Sequence, residues 1–227
     1  MNKTLIILSL VVLASCDAKV QVPSKNLVER DSIKYEVNSQ TPFTGSYVSA
    51  LCLSKGANYT EFCTINYKDG VLDGLSRSTD KNGIEYHFNF KDGELDGLYE
   101  EYRENGKLRY RRNFKDGKED GLFEEYHKNG QLLSKGNLKD GEQDGLWETY
   151  DDNGQLKYLR NFKDGKRDGL HEYYYDNGQL KEKGNYKDGE QDGLWETYRV
   201  DGLSMGNICV KNNRSVHTSN CEKKSDE

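Results

Sequence analysis

Several residue groups in this chain have types and spacings that could do chemistry. Gly202-Leu203-Ser204-Met205-Gly206 has the G-x-S-x-G spacing of a nucleophile elbow, in which a serine is raised on a sharp strand-to-helix turn. No helical pattern follows it, and Gly206-Asn207 falls in step with Gly184-Asn185, so the segment reads as a strand. Glu100, Glu124, Glu148, Glu172 and Glu196 recur in one column and raise the question of paired carboxylates. Equivalent residues two strands apart stand roughly 9.5 Å from each other, too far for a shared proton or a retaining pair and marginal for an inverting one. Fivefold recurrence favours structure. His87, His127, His171 and His217 occupy different columns, so periodicity assembles no metal cluster. The repeated Asp-Gly-x-x-Asp-Gly loops offer the oxygen ligands calcium takes, but their spacing fits neither an EF-hand nor a glycine-rich nonapeptide, and turn formation accounts for the aspartates. The expectation is a protein that binds and does not catalyse, with no cofactor and no metal.

The cysteines carry a different kind of chemistry. Leaving Cys16 aside, Cys52, Cys63, Cys209 and Cys221 remain, and an even number in an exported protein suggests disulfides. Of three connectivities the local one is favoured, Cys52 with Cys63 and Cys209 with Cys221, each bracketing a short loop at one end of the chain's repetitive body. Repeat arrays fray at their ends, so a staple stabilises most there. A four-thiolate zinc site is the rival, weakened because no pair has C-x2–4-C spacing.

Export is implied by the first residues. Met1-Asn2-Lys3 is a short basic start, Leu5 to Leu13 an apolar run, and Ala14-Ser15-Cys16 a small-residue cut site, the three parts of a secretory signal. Leu13-Ala14-Ser15-Cys16 resembles the lipobox of bacterial lipoproteins, which implies cleavage before Cys16 and lipidation of its thiol. Two or more acyl chains would anchor the protein stably in a membrane. Asp17 resembles an inner-membrane retention signal of enterobacteria, without deciding between inner and outer membrane. Residues 18–32 are polar and aperiodic and read as a tether, so the divisions expected are a signal at 1–15, a lipidated N-terminus and tether at 16–32, and a degenerate capping repeat at 33–65.

What must position all these groups is a repeat. Lys-Asp-Gly-x-x-Asp-Gly-Leu recurs with its first aspartate at Asp69, Asp92, Asp116, Asp140, Asp164 and Asp188, in steps of 23 and then 24 residues. Between blocks lie Asn82-Gly83, Asn105-Gly106, Asn129-Gly130, Asn153-Gly154, Asn177-Gly178 and Asp201-Gly202. Asn-Gly and Asp-Gly supply the positive φ of tight hairpin turns, so each unit is two strands and two turns, six units over 66–210 with a C-terminal tail at 211–227. Hydrophobic residues are only 33% and charged residues 32% of the chain, yet there are 16 Tyr. Such a chain can fold if each unit buries a narrow stripe against its neighbour. The net charge of −6 disfavours nucleic acid as a partner.

Alternation along the strands puts Leu98, Glu100 and Tyr102 on one face, repeated through Leu194, Glu196 and Tyr198. In the second strand Leu108 and Phe114, and likewise Leu156 and Phe162, would share a face. Stacked Leu and aromatic columns would then form the core, with the glutamates along a solvated groove. Tyr99, Phe123, Trp147, His171 and Trp195 form a column on the opposite face, which, if open, is a surface for binding a protein, or a glycan by stacking. A 48-residue period overlies the shorter one: Arg112 and Arg160 alternate with Gly136 and Gly184. Recent duplication of a two-repeat unit explains this, and a large side chain facing a gap is the packing alternative.

The units resemble MORN repeats, in the variant carried by the bacterial YwqK-type antitoxin family. The residues that carry the resemblance are Asp-Gly-x-x-Asp-Gly-Leu, the Tyr five positions after the second Gly, and Asn-Gly, over about residues 41–210 with Pro42-Phe43-Thr44-Gly45-x-Tyr47 as a degenerate first copy. It implies an elongated all-β fold, a single-layer antiparallel meander of ~24-residue hairpins, and a scaffolding or partner-neutralising role. The expected function is a lipid-anchored envelope module that holds a protein partner, such as a toxin. Cell-wall glycan is the alternative, because the units are distantly similar to choline- or glucan-binding repeats.

Overall fold

The computed structural model describes residues 21–23, 27–49, 62–217 and 221. Those residues contain no helix, and almost all of the strands belong to one sheet of 18, beside a separate two-stranded hairpin. From Phe62–Lys68 to Arg214–Val216 each strand pairs antiparallel with the next in sequence. The sheet is an open meander of hairpins, as the repeat pattern predicts.

Two kinds of turn drive it. At the first Asp-Gly of each block both residues are left-handed: Asp116 has φ 47° and Gly117 78°, and the flanking Lys115 and Lys118 pair directly. This is a two-residue type I′ hairpin, whose twist matches that of the strands. At Asn105-Gly106 only the glycine has positive φ, and Gly106 N–H donates to the Arg103 carbonyl. The Asn-Gly turns are therefore longer and need a left-handed residue only at Gly.

From strand Glu85–Lys91 to strand Leu180–Lys187 every strand pair carries a register shift. One kind lies beside the Asn-Gly turn, so that Leu108 pairs with Tyr102 but Tyr110 with Glu101. The other kind lies opposite the second Asp-Gly, between Arg112 and Phe114. The first shift separates residues that simple alternation places together. Leu108 joins the face of Tyr102, whereas Phe114, paired with Gly97, joins the face of Tyr99. The expectation that Leu108 and Phe114 share a face, and Leu156 and Phe162 likewise, is thereby corrected: a β-bulge resets the alternation.

The chain's N-terminal part is more structured than its composition suggests. Gln21–Pro23 pairs in parallel with Gly45–Ser49, and Leu27–Arg30 forms a hairpin with Ile33–Glu36. Leu27 packs on a cluster of Phe43, Cys63, Ile65 and Tyr67, and within the segment read as a tether Gln21–Pro23 and Leu27–Arg30 are strands. That cluster closes one end of the array. At the other end Cys209 and Cys221 form a disulfide with Cα atoms 5.8 Å apart, as the local pairing anticipated. Cys63 is also disulfide-bonded, but Cys52 lies outside the described residues, as does Cys16.

Candidate functional site

The register aligns one residue from each strand into a row across the sheet. On one face the row reads Tyr99, Arg112, Phe123, Gly136, Trp147, Arg160, His171, Gly184, Trp195, Ile208. The column proposed from sequence as an open binding stripe is therefore real as an alignment, but its exposure is corrected. Trp147, His171 and Trp195 are buried, at 7%, 6% and 3% exposure, and Tyr99 and Phe123 are half-buried. Trp147 lies flat on Gly136, so that a Cβ there would overlap the indole, and Trp195 lies likewise on Gly184. Phe123 packs 5.1 Å from Trp147, and Tyr186 5.3 Å from Trp195, between ring centroids. The Trp147 indole N–H donates to the Asn137 carbonyl at 3.1 Å.

The 48-residue period is thus a packing device between adjacent strands. Where the row offers glycine, the next strand supplies tryptophan. Where it offers arginine, the next strand supplies the smaller Phe123 or His171, and the guanidinium lies over a tyrosine, Arg112 over Tyr110 at 4.6 Å and Arg160 over Tyr158 at 3.9 Å. Interiors tolerate neither voids nor overlap, so large and small alternate.

This face still holds a groove of about 550 Å³, floored by Phe123, Trp147 and Phe162. Glu119 and Glu125 stand on one side, and Arg160 and Arg167, three to four strands on, stand on the other. His171 faces Arg160 across the strand pair. Burial, together with the Arg160 and Arg167 cations, pulls its imidazole down to about 4. It is therefore neutral near pH 7, and its 3.6 Å approach to Glu182 is not an ion pair there.

The opposite face carries a second row: Glu100, Arg111, Glu124, Lys135, Glu148, Leu159, Glu172, Lys183, Glu196. Every glutamate accepts a hydrogen bond from the tyrosine two residues on, Tyr102 to Glu100 at 2.8 Å through Tyr198 to Glu196 at 2.8 Å. Arg111 bridges Glu100 at 3.0 Å and Glu124 at 3.3 Å, and Lys135 reaches Glu148 at 2.5 Å. Despite burial that opposes ionisation, the Tyr102 and Arg111 hydrogen bonds hold the Glu100 carboxyl below its usual range, and desolvation with the bond to Glu100 pushes the Tyr102 hydroxyl up to about 12. Instead of the expected solvated groove, the glutamates are members of a hydrogen-bonded ladder, Glu100 buried and the others half-buried. A Glu100 carboxylate held ionised this way braces neighbouring strands.

The leucines of this face are also corrected. Leu75, Leu98, Leu146 and Leu194 are exposed, at 37 to 44%, because the bulky partners that would cover them, Phe114, Phe162 and Tyr186, lie on the other side of the sheet. Ser204, singled out for a nucleophile elbow, begins the strand Ser204–Lys211, and its hydroxyl accepts from the Gly206 amide at 3.2 Å. No strand-to-helix turn is present there.

Four consecutive segments, residues 95–116, 119–140, 143–164 and 167–188, match the MORN repeat variant family model. Each runs from the bulged start of one hairpin strand to the next Asp-Gly turn, so the matched unit and the hairpin unit coincide. No curated protein matches the chain. MORN repeats of this kind point to a repeat-based binding module.

Proposed function

We propose that the chain is a non-enzymatic repeat module, held in the bacterial cell envelope by a lipid on Cys16, that binds a protein partner through its leucine-bearing face. The observation that carries the reading is the column Leu75, Leu98, Leu146 and Leu194, exposed in register beside a locked Tyr–Glu ladder. An apolar stripe bordered by satisfied polar groups is what a protein interface offers, and the ladder makes the flanks rigid at little further entropy cost. Export and anchoring are supported by the leader and the lipobox-like Leu13-Ala14-Ser15-Cys16. An immunity-type role, sequestering a toxin, follows from the resemblance to the antitoxin family. Glycan binding is the weaker alternative, because stacking on sugars needs open aromatic faces and Trp147 and Trp195 are buried.

Two experiments test this. A photo-crosslinking residue at Leu98 or Leu146 should capture one envelope protein, while the same residue at Ser134, on the aromatic face, should not; capture from both faces, or retention on peptidoglycan instead, overturns the reading. Cys16→Ser should abolish partitioning into detergent, and a variant that partitions like the parent removes the anchor from the proposal.

A further inference from the structure

The two 48-residue halves of the array differ at several positions of the aromatic face, Phe123 and His171 among them, and at one of these positions a charge is reversed. In the first half Arg112 closes on Glu119, Nη1 to Oε1 at 2.6 Å. The equivalent residues 48 positions on are Arg160 and Arg167, so the carboxylate has been replaced by a second cation. The backbone setting is the same, since Phe114 pairs with Glu119 and Phe162 with Arg167. Both arginines border the aromatic-floored groove.

Nothing among the described residues neutralises this pair. Arg160 lies over Tyr158 at 3.9 Å and its buried Nε has no hydrogen-bond partner. Arg112 shares the unpartnered Nε but has its carboxylate. Arg167 donates to the Tyr186 hydroxyl at 3.1 Å and forms no ion pair. His171, opposite Arg160, is buried with Nδ1 unpartnered. The nearby carboxylate of Glu182 approaches His171 and neither guanidinium. Burial and the Arg167 charge both lower the proton affinity of Arg160, which marks the pair as an uncompensated positive field in a chain of net charge −6. Like charges set together in a partly desolvated groove destabilise the fold unless a counter-charge arrives, and planar guanidinium forks are matched to oxyanions.

We propose that Arg160 and Arg167 form an oxyanion-binding site, taking a carboxylate, sulfate or phosphate group that a ligand lays into the groove. Ser134, Gln143 and Thr149 line the same groove and supply neutral hydrogen bonds to the rest of such a ligand. The site does not depend on the leucine face, which lies on the other side of the sheet.

Sulfate, phosphate and acetate are titrated separately at constant ionic strength against chloride, following the imidazole resonances of His171. Wild type should show saturable shifts and an upward move of the His171 titration midpoint as the anion screens the two cations; the ranking of the three anions identifies the source chemistry. Arg167→Glu rebuilds the internal pair seen at Arg112 and Glu119, and should weaken binding at least tenfold while the thermal midpoint rises or holds. Arg167→Gln, the residue found at the equivalent positions 143 and 191, should also weaken binding. The converse change, Glu119→Arg, should create a second site. The proposal is overturned if no anion shifts His171 beyond chloride, or if both Arg167 variants, shown folded by circular dichroism, bind as wild type does.

Discussion

Trp147 and Leu146 are adjacent in sequence and stand on opposite faces of one strand, which makes their truncation a direct test of which face is the core. Trp147 is 7% exposed, its ring resting on Gly136 and against Phe123 and Phe162, with its N–H bonded to the Asn137 carbonyl. Removing such a side chain costs about 3–5 kcal/mol, and the orphaned Asn137 carbonyl adds about 1 kcal/mol where water cannot reach it. Leu146 is 44% exposed, so Leu146→Ala loses little burial and should cost less than about 1 kcal/mol. Urea unfolding followed by far-ultraviolet circular dichroism measures both, since it needs no tryptophan signal. Hydrogen exchange adds the location: in a repeat array the loss should centre on strands Leu132–Lys139, Glu142–Tyr150 and Leu156–Lys163 and fade within a repeat or so on either side. A Leu146→Ala variant as destabilised as Trp147→Ala would refute the assignment of faces.

Three further outcomes follow from the same packing. Gly184→Ala places a methyl group against the Trp195 ring and should cost about 1–3 kcal/mol; adding Trp195→Phe should recover part of that, and a strictly additive double mutant would show that the two do not touch. Cys209→Ser opens a 12-residue loop at the end of the array and should lower stability by about 3 kcal/mol, seen as lost exchange protection confined to the strands after Glu190. Because the folded-state pKa of His171 is depressed from 6.5 to about 4, its stabilisation is present above pH 6.5 and is lost as pH falls through 4. Between those limits the dependence should approach about 1.4 kcal/mol per pH unit, and His171→Phe, the residue type at Phe123, should remove it; an unchanged pH profile in the variant refutes the buried neutral imidazole.

The repeating unit of this protein can be read from its residues alone. Two adjacent positive-φ residues at the first Asp-Gly of each block, from Asp69 to Asp188, admit little but a type I′ hairpin, and the 24-residue spacing strings those hairpins into a meander. The aligned column of Tyr99, Phe123, Trp147, His171 and Trp195 was legible for the same reason, since a fixed period stacks equivalent residues. So was the local Cys209–Cys221 pairing, because both ends of the bridge fall in one terminal unit. Which face is buried was not legible. Alternation assigns residues to two faces without saying which is inside, and the bulge between Leu108 and Tyr110 sends Phe114 to the face opposite Leu108. Tertiary pairing alone showed that glycine on one strand lies beneath tryptophan on the next, and that the glutamates are held by tyrosines. The charge change from Glu119 to Arg167 stood in the sequence throughout, as one position in a 48-residue period. Only the register, which sets Arg112 against Glu119 and leaves Arg160 with a second cation, gave that change a physical meaning, because an ion pair depends on distances that periodicity does not contain.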